Sequence, residues 1–274
     1  MCRHIAVLGP GAPLAETLVE PPHSLVHQSW APRSMASGTV NADGFGVGWY
    51  APGDPVPARY RRAGPIWGDE SFADIARVVR SRALLAAVRD ATLGGADGEA
   101  AAAPFAGGPW LFSHNGALAG WPDSAAPLAT LLPPEALLRL TARSDSAFVW
   151  ALVERRLRGG EGPGPALAGA VTTLAQAAPG SRLNLLLTDG AAIAATTWGD
   201  SLWYLAGGGQ GRTVVASEPY DDDPRWRQVP DRSLLTADRS GVGVRPLAPP
   251  HAPQPRPRRR APHPPEFPRK EPVQ

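Results

Sequence analysis

The segment RLNLLLTDGAAIAATTWG, residues 182–199, places two apolar runs, 183–188 and 191–198, on either side of Asp189-Gly190. Asp-Gly between strand-length apolar runs is a strong signal for a two-residue type I′ turn, so the pair is expected to form a β-hairpin. Residues 202–205 and 213–216 flank AGGGQG and read as a second hairpin. Upstream the pattern is helical. Residues 144–158 form a helix with Ser144 as its cap and Asp145 in its first turn. Residues 165–177 continue with helical period, and 125–143 are helical in part, broken at Pro133-Pro134.

Towards the N-terminus the strand signal returns. Residues 5–8, 84–88 and 110–113 are short apolar runs of strand length. NADGFGVGWY, residues 41–50, reads as a turn entering a strand, with glycines where a backbone or ligand comes close. Residues 71–80 have helical period with Ser71 as N-cap, and 94–103 is a low-complexity loop. Strands, then helices, then antiparallel strands give an α+β fold. No GxxxxGK[ST] occurs, and the glycines of GFGVG have the wrong spacing for a dinucleotide fold.

A chain of 274 residues can bury one large core. No run of about 18 apolar residues indicates a membrane span, and no basic and apolar leader opens the chain, so the cytoplasm is the expected compartment. A single cysteine excludes an internal disulfide framework and a multi-cysteine zinc site. The net charge of +2 is unevenly placed: residues 246–274 hold five Arg and one Lys against two Glu, a balance of +4, leaving −2 for residues 1–245. The body is therefore not a basic nucleic-acid binder. Residues 246–274 read as a disordered, polyproline-like tail, and residues 1–245 as the folded domain.

The one cysteine, Cys2, directly follows Met1 and precedes an apolar strand. Removal of Met1 would leave a thiol and a free α-amine on one residue, a nucleophile with its own base. The alternative is an inert, buried N-terminal cysteine. Ser113-His114-Asn115-Gly116 closes an apolar strand, where one carboxamide N–H and one backbone N–H could serve as an oxyanion hole; the plainer reading is an Asn-Gly turn. Arg89 and Thr92, at another strand end, offer a guanidinium and a hydroxyl for a carboxylate, or else a surface ion pair. Asp145 could hold an ammonium group or serve only its helix. His4 and His114 lack second-ligand spacing and read as structural.

In order along the chain stand MCRH, NADGFGVGWY, PIWGDESF, VRDATLG, LFSHNGAL, SDSA, RLNLLLTDG, ATTWGDSL and ASEPYDDDPRW, spread over roughly residues 1–245. This series resembles the class II (N-terminal nucleophile) glutamine amidotransferases, and within them the γ-glutamyl hydrolases of ergothioneine biosynthesis. The resemblance implies an αββα sandwich of two antiparallel sheets between helix layers. It implies Cys2 as nucleophile, Asn115 and Gly116 as oxyanion donors, Arg89 and Thr92 on the glutamyl carboxylate, and Asp145 on its ammonium. Ala147 after Ser-Asp-Ser and Asp90 after Arg89 depart from the wider family's pattern and point to the specialised branch. The substrate so implied is the small molecule γ-glutamyl-hercynylcysteine sulfoxide, cleaved to glutamate without cofactor or metal, by a protein that needs no nucleic acid or membrane partner. A homo-oligomer is compatible with this. A glutaminase subunit supplying ammonia to a separate synthase is the alternative, and a catalytically silent module of the same fold the third reading. The trimethylammonium of the leaving portion would suit an aromatic face, and Trp49, Tyr50, Trp67 and Trp110 are candidates among nine Trp and four Tyr.

Overall fold

The computed structural model describes residues 2–34, 40–91, 98–208 and 211–247. The first half of the chain runs β1 (Arg3–Pro13), α1 (Ala15–Leu18), α2 (Leu25–Gln28), β2 (Phe45–Trp49), β3 (Ala58–Arg62), α3 (Glu70–Val78), β4 (Arg80–Val88), β5 (Phe105–Gly107) and β6 (Trp110–Ala117). Helices α4 (Pro134–Leu138), α5 (Asp145–Arg158) and α6 (Pro163–Ala177) follow. The last part is all strand: β7 (Arg182–Thr188), β8 (Ile193–Thr197), β9 (Trp203–Gly208), β10 (Arg212–Ala216), β11 (Arg227–Gln228), β12 (Ser233–Ala237) and β13 (Val242–Pro246).

These strands make two sheets, one of seven strands in the order β11-β9-β10-β1-β4-β2-β3 and one of six in the order β13-β12-β8-β7-β6-β5. Alternation along each strand separates three apolar layers. Ile5 and Val7 face outward with Leu18, Phe72 and Ala76 of the helices on the seven-stranded sheet. Ala6 and Leu8 face inward, onto Leu111, Leu186 and Ala195 of the other sheet. On the far side Phe112, Leu185 and Leu187 pack against Val149, Val153, Leu167 and Val171 of α5 and α6. The result is the αββα sandwich. Strand β1 lies between β10 and β4 and is buried on both faces, which is why it reads as a continuous apolar run.

The hairpin at Asp189-Gly190 forms, but not with the expected turn. Thr188 pairs with Ile193, so residues 189–192 make a four-residue connection. A type I′ turn needs positive φ at both central residues, and of the two only Gly190 has it, at 87°. The Asp189 carboxylate instead accepts the N–H groups of Ala191 (2.9 Å) and Ala192 (2.8 Å), an alternative backbone cap that the dipeptide rule ignores. Helix α3 starts earlier than expected because Asp69, not Ser71, accepts the Phe72 N–H at 3.0 Å. Ser144 caps α5 as read, accepting from Ala147. Strand β6 does not stop at Asn115-Gly116: both pair with β7, opposite Asn184 and Leu183, so no turn forms there. The glycines of β2 admit the neighbouring layers, since a Cβ on Gly48 would meet both methyls of Leu111 at 2.6 and 2.8 Å.

The amino terminus is fastened by a buried charge. Arg3 and Glu218 are fully buried, with Nε and Oε2 3.9 Å apart. Arg3 also donates to the Ser34 carbonyl at 2.8 Å, and Glu218 accepts the N–H groups of Arg33 and Ser34 at 3.0 and 2.7 Å. Removing one member of such a pair strands the other in a low-dielectric site. Arg3→Ala is therefore expected to lower the unfolding free energy by about 3–5 kcal/mol in urea titration; a loss of under about 1 kcal/mol would contradict this assignment.

Candidate active site

Cys2 emerges at the start of β1 into a cavity of about 440 Å³, lined also by Arg89, Asp90, Gly116, Leu118, Trp121, Arg143, Asp145 and Ser146. Four of the six residues singled out in the sequence, Cys2, Arg89, Gly116 and Asp145, thus share one cavity. Asn115 is buried behind it, and Thr92 lies outside the described residues.

Each member is set by its own element. Gly116, in β6, is extended with φ 155°, and a Cβ there would overlap the Arg182 carbonyl and lie 2.8 Å from His114 Nε2, so only glycine fits. Arg89 directly follows β4: its N–H donates to Gly44 O at 2.8 Å and its guanidinium to Asp43 O at 3.3 Å. The Asp43 carboxylate accepts the Ala91 N–H at 2.8 Å, which makes NADG the clamp of the Arg89 turn. Asp145 opens α5, and its two oxygens accept from Leu118 N (2.9 Å) and Ser146 N (2.7 Å). These bonds fix the carboxylate and leave lone pairs for a cation.

His114 is held on both ring nitrogens. Its Nε2 lies 3.0 Å from the Arg182 carbonyl, which can only accept, so Nε2 carries the proton. Its Nδ1 then accepts from Ser146 Oγ at 3.1 Å. His4 is buried with Nδ1 3.1 Å from Ser113 Oγ, and among the described residues no cluster of three or more metal-ligating side chains occurs.

Asn115 and Asn184 face each other in register, both fully buried, yet they are bonded very differently. Asn184 donates to the carbonyls of Asp200 (2.9 Å) and Ser201 (3.2 Å) and accepts from Trp198 N (2.8 Å) and Asp200 N (3.3 Å). Asn115 has one long bond, Nδ2 to Ser217 Oγ at 3.4 Å, and its Oδ1 has no partner. A buried amide costs free energy unless bonded, so the Asn115 carboxamide has hydrogen-bonding capacity that the fold leaves unused. Turning this carboxamide by 180° would let Ser217 donate to Oδ1 and free Nδ2 to donate elsewhere. Ser217 also accepts the His4 N–H at 3.0 Å; it stands in the ASEPYDDDPRW motif, but its contact with Asn115 was not legible because the two are about 100 residues apart in sequence.

The Cys2 thiol is pushed up by burial, which outweighs the opposing influence of its contact with the Asp90 carbonyl, at 3.9 Å, and of the Arg89 charge. A smaller void of about 30 Å³ adjoins Cys2, lined by Arg89, Ser113, His114 and Ser146 among others, with room for a single water.

Residues 16–208 match the family described as class-II glutamine amidotransferases. The chain belongs to the class-II glutamine amidotransferases. It is 41% identical, over 90% of its own length and 100% of the relative's, to a γ-glutamyl-hercynylcysteine sulfoxide hydrolase of Mycolicibacterium smegmatis. A protein of the same name from Mycobacterium tuberculosis is 39% identical, over 88% of this chain and 95% of the relative. Among solved structures, a glutamine aminotransferase class-II domain protein of Silicibacter pomeroyi superposes with a TM-score of 0.66 at 25% identity, covering 90% of this chain and 100% of that one.

His4 makes the stability of this region depend on pH. Burial, aided by the nearby His114 and Arg3, lowers its pKa from 6.5 to about 3. The unfolded chain binds the proton first, so the resulting stability is complete above pH 6.5 and is lost as pH falls from there towards 3. His4→Gln should therefore lose less stability than the parent between pH 7 and pH 4, the difference reaching about 3 kcal/mol in urea titration. Identical losses in the two proteins would show that His4 does not drive acid sensitivity.

Proposed function

We propose that this chain hydrolyses the γ-glutamyl amide of γ-glutamyl-hercynylcysteine sulfoxide, giving glutamate and hercynylcysteine sulfoxide. The observation that carries the reading is the convergence of Cys2, Arg89, Gly116 and Asp145 on one cavity. The full-length relatives of that name support the choice of substrate. A cavity of about 440 Å³ is also in the range that encloses a molecule larger than glutamine.

In this mechanism Met1 is removed and the Cys2 α-amine, with a reference pKa near ~7.7–8.0, is the base that the raised thiol needs. It takes the thiol proton through a water in the void beside Cys2. Arg89 and Asp145 hold the glutamyl carboxylate and ammonium, with Thr92 as a further carboxylate donor, and set the γ-carbonyl against Sγ. The thiolate bonds to the γ-carbon and the carbonyl electron pair moves onto oxygen. The Gly116 N–H and the turned Asn115 carboxamide stabilise that oxyanion. Collapse reforms the carbonyl and breaks the C–N bond, the leaving nitrogen taking the proton from the α-ammonium. Water, deprotonated by the same amine, then attacks the thioester, and glutamate departs as the thiol is restored. No cofactor enters these steps. We place the reaction in the cytoplasm, where reducing conditions keep a thiol nucleophile free.

The test is glutamate release, measured by mass spectrometry, from γ-glutamyl-hercynylcysteine sulfoxide and from glutamine. Rapid release from the sulfoxide is expected, falling at least about 1,000-fold in Cys2→Ala. Preference for glutamine would instead identify an ammonia-supplying subunit, and no turnover of either by protein lacking Met1 would leave a silent module or a different γ-glutamyl substrate.

A further inference from the structure

We infer that Arg143 reads a carboxylate on the leaving side of the scissile amide. The inference rests on the γ-glutamyl hydrolase reading and assigns the half of the substrate which that reading leaves unrecognised. Besides Cys2, the cavity wall carries four charged side chains: Arg89, Asp90, Arg143 and Asp145. A γ-glutamyl group brings one carboxylate and one ammonium, and Arg89 and Asp145 answer these. The acyl half has no use for a second guanidinium.

The position of Arg143 agrees. It is exposed, whereas Arg89 and Asp145 are partly buried, so Arg143 stands at the rim and the other two lie deeper. Residues 143–146 all line the cavity, and this short segment carries the wall from the rim to the clamped carboxylate of Asp145. The leaving portion is the larger part of the substrate and must depart through the mouth. Its cysteinyl carboxylate sits on the carbon bonded to the scissile nitrogen, the first anion beyond the reacting bond. A guanidinium fork matches a carboxylate with two parallel N–H···O bonds. Glutamine releases only ammonia and offers Arg143 nothing. Arg143 is thus a specificity residue, favouring amides of an amino acid over simple amides.

Three γ-glutamyl amides with a common acyl half separate the possibilities: γ-glutamyl-hercynylcysteine sulfoxide, γ-glutamylcysteine and γ-glutamylmethylamide. Only the first two carry the leaving-side carboxylate. In Arg143→Gln, the ratio of kcat/KM for γ-glutamylcysteine to that for γ-glutamylmethylamide should fall about tenfold, chiefly through KM, and the sulfoxide should follow γ-glutamylcysteine. Arg143→Lys, which keeps charge without the fork, should recover part of the ratio. An unchanged ratio, whether from equal losses or from none, would overturn the inference, since Arg143 would then serve the acyl half or the fold, or nothing. A wild-type enzyme that cleaves γ-glutamylcysteine but not the sulfoxide would sink the proposed substrate while the ratio still decides the role of Arg143. Failure on all three substrates would overturn both.

Discussion

The whole site depends on holding the second residue of the chain still. Chain ends fray unless they are tied down. Here Arg3 is buried against Glu218, and the next residue exchanges backbone and side-chain bonds with Ser217: His4 N–H to Ser217 Oγ at 3.0 Å, and Ser217 N–H to His4 O at 2.9 Å. Strand β1 then continues between β10 and β4, in the centre of the larger sheet. A terminal residue is thereby given the positional precision normally found in a core. The fastening also reaches the chemistry, because Ser217 Oγ is the group that touches Asn115.

The alternation of strand β6 does the second part of the work. Ser113 and Asn115 point between the sheets, while Phe112, His114 and Gly116 face the helices. His114 there binds Ser146 and the Arg182 carbonyl, joining the start of α5 to the start of β7. Asp145 reaches the backbone beyond β6 through Leu118. One strand therefore ties the sheet to the helix on one face and presents a half-bonded amide to the inter-sheet space on the other.

Much of the fold was legible because its signals are local. The Asp189-Gly190 hairpin, the Ser144 cap and the buried run of β1 follow from residues a few positions apart. What was misread is also instructive. The turn type and the α3 cap were each decided by an aspartate side chain competing for backbone N–H groups, Asp189 and Asp69, which periodicity does not weigh. Asn115-Gly116, a turn dipeptide in isolation, lies inside a strand because β7 pairs with it along its whole length, a tertiary override. In the site, Cys2, Arg89, Gly116 and Asp145 meet at one cavity, whereas the bonds that Asp43 and Ser217 supply could not be read from the motifs that contain them, since each acts across a contact between distant segments. Arg143 escaped for another reason: adjacent to a recognised motif, it looks like an ordinary exposed arginine until the cavity wall is traced.

The account comes down to Cys2 as an N-terminal nucleophile whose thioester is held in this cavity. Acid quenching during turnover of the sulfoxide, followed by mass analysis of the N-terminal peptide, tests it directly. The account predicts a peptide that begins at Cys2, without Met1, and carries the mass of one glutamyl group on that residue. A working enzyme whose N-terminal peptide retains Met1, or whose glutamyl adduct sits on another residue, would contradict it.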